Sequence, residues 1–143
     1  MSTGSAAGSE DRSFDPASAI EIGRRWVDAI TRRDADALVE ITDPDIAFYP
    51  TTILRTRDRY SGHDGLRQWI ADTAAADSPI TEQITDVRLA HAGHVVALGH
   101  VAVRGKPTSP FSLLMSLRAD KVAEARAYLS DEAQLKRIGR LPA

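Results

Sequence analysis

Three groups of residues in this chain have types and spacings that could do chemistry. The first is Arg59-Tyr60-Ser61-Gly62-His63-Asp64-Gly65-Leu66-Arg67-Gln68-Trp69, which holds a G-x-x-G and a histidine beside an aspartate. Such a stretch could cradle an anion, because a helix N-terminus presents N–H groups to phosphate. No lysine follows the second glycine, so no nucleotide-binding motif is complete. Ser61 followed three residues later by Asp64 instead resembles a capping box, with Asp in place of Glu or Gln. The stretch is read as a helix start, which leaves His63 exposed. The second group is His91-Ala92-Gly93-His94. A catalytic zinc site needs a third ligand, and no carboxylate stands at a matching spacing, so this is read as a solvated turn and no metal is expected.

The third group is the carboxylates. Glu124 shares a strand face with Arg126 and Tyr128, which points to a surface ion pair. Asp45 has the parity of Ala47 and Tyr49, and this makes Asp45 and Tyr49 the candidate proton carriers. Trp26, Tyr49, Trp69 and Met115 are expected to point inward. They face small residues at Ala97, Gly99, Ala123, Ala125 and Ala127. Large residues opposite small ones can leave a hollow, and ligand pockets are mainly apolar with a few polar groups. The Trp26 N–H and the Tyr49 O–H would orient the guest.

These residues must be held by helices and strands. Asp15-Pro16 starts a helix, since Pro suits the first helical position. Ala19, Ile22, Trp26, Ala29 and Ile30 continue it at helical spacing to Arg33. Asp34 caps a short second helix with Leu38, Val39 and Ile41, ended by Asp43-Pro44. Ile46 to Tyr49 reads as a strand, Thr51 to Arg59 as a loop or edge strand, and Gly62 to Ala76 as a third helix. Four strands follow, at Ile80–His91, His94–Arg104, Phe111–Arg118 and Val122–Leu129, with turn residues between them. Within the second, Ala97, Gly99, Val101 and Val103 are expected inward and His100 outward. A last helix starts at Ser130, with acids in its first turn and bases in its last.

Helices first and antiparallel strands second make an α+β layout. Its 143 residues fit one domain, expected over 14–143 behind a disordered, Ser/Gly/Ala-rich tail at 1–13. The net charge of −2 gives no general case for nucleic acid or for an anionic membrane surface. With no cysteine, disulfides and thiolate chemistry are excluded. No apolar run approaches the roughly 20 residues of a membrane span. The first residues lack a signal-peptide layout, and a cytoplasmic protein is expected.

The order of elements resembles the nuclear-transport-factor-2-like superfamily, and within it the SnoaL-like polyketide-cyclase group. The resemblance rests on Arg33-Asp34-Ala35-Asp36-Ala37-Leu38, Asp43-Pro44-Asp45-Ile46, Tyr60-Ser61-Gly62-His63-Asp64-Gly65-Leu66 and Lys121-Val122 to Tyr128. It implies a cone: a conical, curved antiparallel sheet with three N-terminal helices on its concave face. It also implies a homodimer, an apolar pocket and no cofactor. Tyr49 stands where ketosteroid isomerase-like relatives place a carboxylate base, Trp26 where they place an oxyanion tyrosine, and Leu113 where they place an acid. That isomerase chemistry is not expected, nor is epoxide hydrolysis, since no Asp accompanies Arg104. The expectation is a small, mostly apolar molecule bound by Trp26, Tyr49, Trp69, Leu113, Met115 and Ala125. Asp45 or Tyr49 would carry any proton transfer of isomerase, cyclase or hydratase type. The alternative is a binding or dimerisation module without chemistry.

Overall fold

The computed structural model describes residues 15–50, 57–74, 80–90, 93–103 and 107–137, with the side chains of Ile80 and Val103 left out. The expected tail at 1–13 lies outside these residues, as do 51–56 of the expected loop, His91 and Arg104. The elements are α1 (Pro16–Arg32), α2 (Ala35–Glu40), β1 (Thr42–Tyr49), β2 (Tyr60–Ser61), α3 (Gly62–Ala74), β3 (Ile80–Leu89), β4 (Val95–Val103), β5 (Ser109–Arg118), β6 (Lys121–Tyr128) and α4 (Glu132–Arg137).

The six strands form one curved sheet in the order β2-β1-β6-β5-β4-β3. All neighbours are antiparallel except β1 and β6, which run parallel. The parallel pair departs from an all-antiparallel sheet, and the intervening chain provides the long crossover that such a pair needs. Strand β1 also starts at Thr42, four residues before the expected Ile46. Asp43 makes this entry into the strand stable: its Oδ1 accepts the Asp45 N–H at 2.8 Å and its Oδ2 accepts from Arg118 at 3.1 Å.

Helix α1 buries Ala19, Ile22, Gly23, Trp26, Val27, Ala29 and Ile30, one continuous stripe, and packs across β3 and β4. A Cβ on Gly23 would stand 2.6 Å from Val95 Cγ1, so glycine lets the helix lie close to the sheet. Asp34 caps α2 by accepting the Ala37 N–H at 3.1 Å. Trp26 Nε1 donates to Thr42 Oγ1 at 2.8 Å, and Thr42 donates to the Leu38 carbonyl at 2.6 Å. This chain of bonds ties α1, α2 and β1 together.

No Ser61–Asp64 capping pair is found among the described hydrogen bonds. Gly62 makes the turn into α3 at φ 72°, and His63 is half-buried rather than exposed. His63 Nε2 lies 2.8 Å from the Thr42 carbonyl oxygen, so this nitrogen carries the proton and donates. A reciprocal capping box occurs instead at α4, where Asp131 N donates to Gln134 Oε1 at 2.8 Å and Gln134 N to Asp131 Oδ1 at 2.9 Å.

Two apolar cores result. The large one fills the concave side. The small one lies on the outer face, where Leu135 of α4 covers Val96 with Ala90, Leu98, Leu114 and Tyr128 around it. Burying Leu135 contributes about 1.5–3 kcal/mol. Also on that face, the cross-strand pair Ser112 and Tyr128 has buried hydroxyls with no hydrogen-bond partner among the described residues.

Candidate functional site

Alternation and register put Phe48, Ala97, Leu113, Met115 and Ala125 on the concave face, with Met115 opposite both Val95 and Ala125, and Phe48 beside Ala125. Trp26 enters from α1 and Trp69 from α3. Five of the six expected ligand-binding residues, Trp26, Trp69, Leu113, Met115 and Ala125, therefore meet in one core. The sixth, Tyr49, does not.

The position of Tyr49 corrects the expectation. Ile46 and Phe48 are the buried apolar residues of β1, so Ala47 and Tyr49 face outward. Tyr49 pairs in register with Arg126. The Arg126 guanidinium stacks 3.9 Å from the centre of the Tyr49 ring, and Arg59 stands 5.7 Å away. Asp45 is exposed. A shift of one residue sends every side chain of a strand to the other face, and both candidate proton carriers leave the interior together.

The same shift fills the expected hollow. Phe48 takes the inward place, 5.8 Å from Trp26 and 5.2 Å from Trp69, both edge-to-face. A cavity able to hold water would leave its walls accessible to a water-sized sphere, whether enclosed or open. Trp26, Trp69, Met115 and Ala125 are 0% exposed and Leu113 is 2%. These residues are packed against one another and their neighbours rather than around a space. The Trp26 N–H, expected to meet a guest, is already bonded to Thr42.

The inward ionisable pair lies elsewhere and was not expected from the sequence. Glu82 of β3 is buried, with its side chain 1% exposed. Arg33 grips it with two bonds, Nη1 to Oε1 at 3.0 Å and Nη2 to Oε2 at 3.2 Å. The guanidinium lies 4.7 Å above the Trp69 ring. Arg33 ends α1 with φ 56°, a left-handed conformation that favours glycine and costs another residue roughly 1–2 kcal/mol. The partners are 49 positions apart in sequence, so no local pattern announces them.

Glu82 also forms part of the wall of a groove of about 400 Å³ between α1 and β3. Val27, Ile84 and Val87 give this groove apolar walls, while Arg24, Asp28, Thr31, Thr85 and Asp86 add polar ones. Asp28 is paired with Arg32 and Asp86 with Arg88. Glu124 and Arg126 form the expected outer-face pair at 3.3 Å, and His100 is exposed as expected. At the end of α1 the Asp28 carboxylate first, then Asp34, raises the Arg32 guanidinium above its ordinary value, and the Ala37 N–H first, then Arg32, holds the Asp34 carboxyl below the usual carboxylate range. Among the described residues no group of three metal-ligating side chains occurs, and no helix is long and apolar enough to cross a membrane.

With this fold and site defined, the comparisons give the class. The SnoaL-like domain family matches residues 23–125, and the chain belongs to that family. Solved structures agree on the fold. TerC, co-crystallized with polyporic acid, is 16% identical, with a TM-score of 0.66 over 84% of this chain and 96% of its own. A protein from Sinorhizobium meliloti described as a polyketide cyclase is 18% identical, with a TM-score of 0.61 over 76% and 94%. A protein from Catenulispora acidiphila with a ketosteroid isomerase-like fold, in complex with trimethylamine, is 22% identical, with a TM-score of 0.60 over 85% and 94%. At these identities the likeness concerns the fold alone. No functionally curated protein shows a significant match to the chain.

Proposed function

We propose that this SnoaL-like domain binds one small, mostly apolar molecule in the groove between α1 and β3, with the Arg33–Glu82 pair at its polar end. The observation that carries this reading is Glu82, a buried carboxylate in the groove wall, held by an arginine in a strained backbone conformation. Burying an ion pair costs several kcal/mol per ion before the partners repay it, and backbone strain of this kind gathers at functional sites. The groove volume of about 400 Å³ is within the range of small-molecule sites. Two structural neighbours were crystallised with small molecules, polyporic acid and trimethylamine. Proton transfer through Asp45 or Tyr49 is not part of this reading, because both face away from the concave side.

The test is native mass spectrometry of the purified chain, with and without Thr31→Trp. Thr31 is exposed on α1 and lines the groove, so a bulky ring there blocks it without touching the core. A small-molecule adduct on the parent chain that is lost from Thr31→Trp supports the reading. An adduct that survives the block places the ligand elsewhere. The packed core favours a second reading, a dimerisation module without a ligand, and that reading gains if no adduct is found on either protein.

A further inference from the structure

Resting on that groove reading, we infer that its ligand is a small apolar acid, a molecule that brings a carboxylate or another ionised oxygen to the arginines at the groove. The charge balance of the walls comes first. Asp28, Glu82 and Asp86 are the three carboxylates of the groove; Arg33 binds Glu82, while Arg32 and Arg88 pair with Asp28 and Asp86 and are shared with Asp34 and Glu132. Arg24 is the fourth guanidinium, exposed, with no carboxylate against it among the described residues. Arg24 is therefore the one cation of the groove wall, and it stands beside apolar residues without a carboxylate partner among the described residues.

Arg33, which is bonded to the wall residue Glu82 without being part of the wall itself, gives the second observation. A guanidinium has five N–H donors. Nη1 spends its two on the Ile30 carbonyl and Glu82 Oε1, and Nη2 spends one on Glu82 Oε2. The Nε proton and the other Nη2 proton have no partner among the described residues. The Arg33 side chain is 20% exposed while the Glu82 side chain is 1% exposed, so what remains accessible of the pair is its cation. Glu82 fixes the plane of the guanidinium and Trp69 lies beneath it. The planar fork of arginine suits a carboxylate, which can take two parallel N–H bonds. The backbone at Arg33 has the conformation glycine favours, yet the position is filled by the residue with the most donors. Val27, Ile84 and Val87 supply the surface for the apolar body.

The experiment compares 1-naphthoate with its neutral analogue 1-naphthalenemethanol by calorimetric titration. The full chain is expected to bind the carboxylate at least about tenfold more tightly, the scale of one charge-assisted hydrogen bond. Two variants test the source of that preference. Arg24→Gln changes an exposed side chain and is expected to lower the ratio several-fold. Arg33→Gly with Glu82→Met removes the whole ion pair, relieves the backbone and leaves no buried charge, and is expected to bring the ratio close to one. Near-ultraviolet circular dichroism confirms that both variants keep the native core. A purely structural ion pair would leave the carboxylate-to-alcohol ratio unmoved in both. Equal affinity for the two probes in the parent chain overturns the inference while the groove reading stands, and so does an unchanged ratio in both variants. Binding of neither probe overturns both.

Discussion

Phe48 touches Trp26, Tyr60 and Trp69, and the centre of the concave core rests on that one ring. Truncating it to alanine is expected to cost about 3–5 kcal/mol, the range for a large buried aromatic, measured as a shift of the denaturant midpoint at constant slope. The vacated space would lie between two tryptophans, so benzene should raise the melting temperature of Phe48→Ala and not that of the parent chain. Asp45→Asn and Tyr49→Phe, by contrast, are expected to leave ligand binding within twofold, read in the same titrations, because both residues are on the outer face. The parity of β1 was available in the sequence. Ile46 and Phe48 are its larger aliphatic and aromatic residues at one parity, while Asp45, Ala47 and Tyr49 share the other. The resemblance gave position 49 a role, and following it put that strand one residue out of phase. Trp26, Trp69, Leu113, Met115 and Ala125 were legible because helical spacing and strand alternation are local patterns. Glu82 was not, since its meaning comes from an arginine on another element.

At the scale of elements, β3 and β4 are held by a contact that permits no side chain. The register between them shifts from Ile84 to Asp86, and a Cβ added at Gly99 would fall 1.9 Å from the Gln83 carbonyl oxygen. Gly99→Ala must therefore move backbone, and it is expected to cost at least the roughly 1–3 kcal/mol typical of overpacking, seen as faster amide exchange along β3 than along β1. Helix α4 is anchored differently, by Leu135 and by Glu132, which pairs with Lys136 and Arg88. Its six residues would not stay helical alone. The Lys136 ammonium first, then the Arg88 guanidinium, hold the Glu132 carboxyl below the usual carboxylate range. A depressed carboxylate stabilises the fold above its unfolded pKa, and this contribution disappears as the pH falls through the depressed value. Amide exchange in α4 is thus expected to speed up in the acid range before the sheet opens, and Glu132→Gln should show the faster exchange already at neutral pH. No change between Glu132→Gln and the parent chain would mean that Leu135 and the Asp131–Gln134 capping box hold the helix without the ion pairs.

At the scale of the whole molecule, the order of elements was legible because each has its own start and stop residues, such as Asp15-Pro16 and Asp34. The parallel β1–β6 pair was not, since about half of the chain separates the partners. The outer face carries half-buried Leu98 and Leu114 together with Glu124 and Arg126, opposite charges two residues apart. A twofold axis would set each charge against its opposite. We expect a homodimer through this face. Light scattering should give twice the chain mass for the parent, and the single-chain mass for Leu114→Arg with the fold retained. A parent chain that scatters as one copy would reject this.

The two rims of the sheet have a consequence of their own. One ends in β2, only two residues long. The other is β3, broken by its register shift and set with Glu82, Asp86 and Arg88. Short, kinked and charged borders are poor templates for another strand. Among the described residues, neither border of the sheet is suited to extension by another strand.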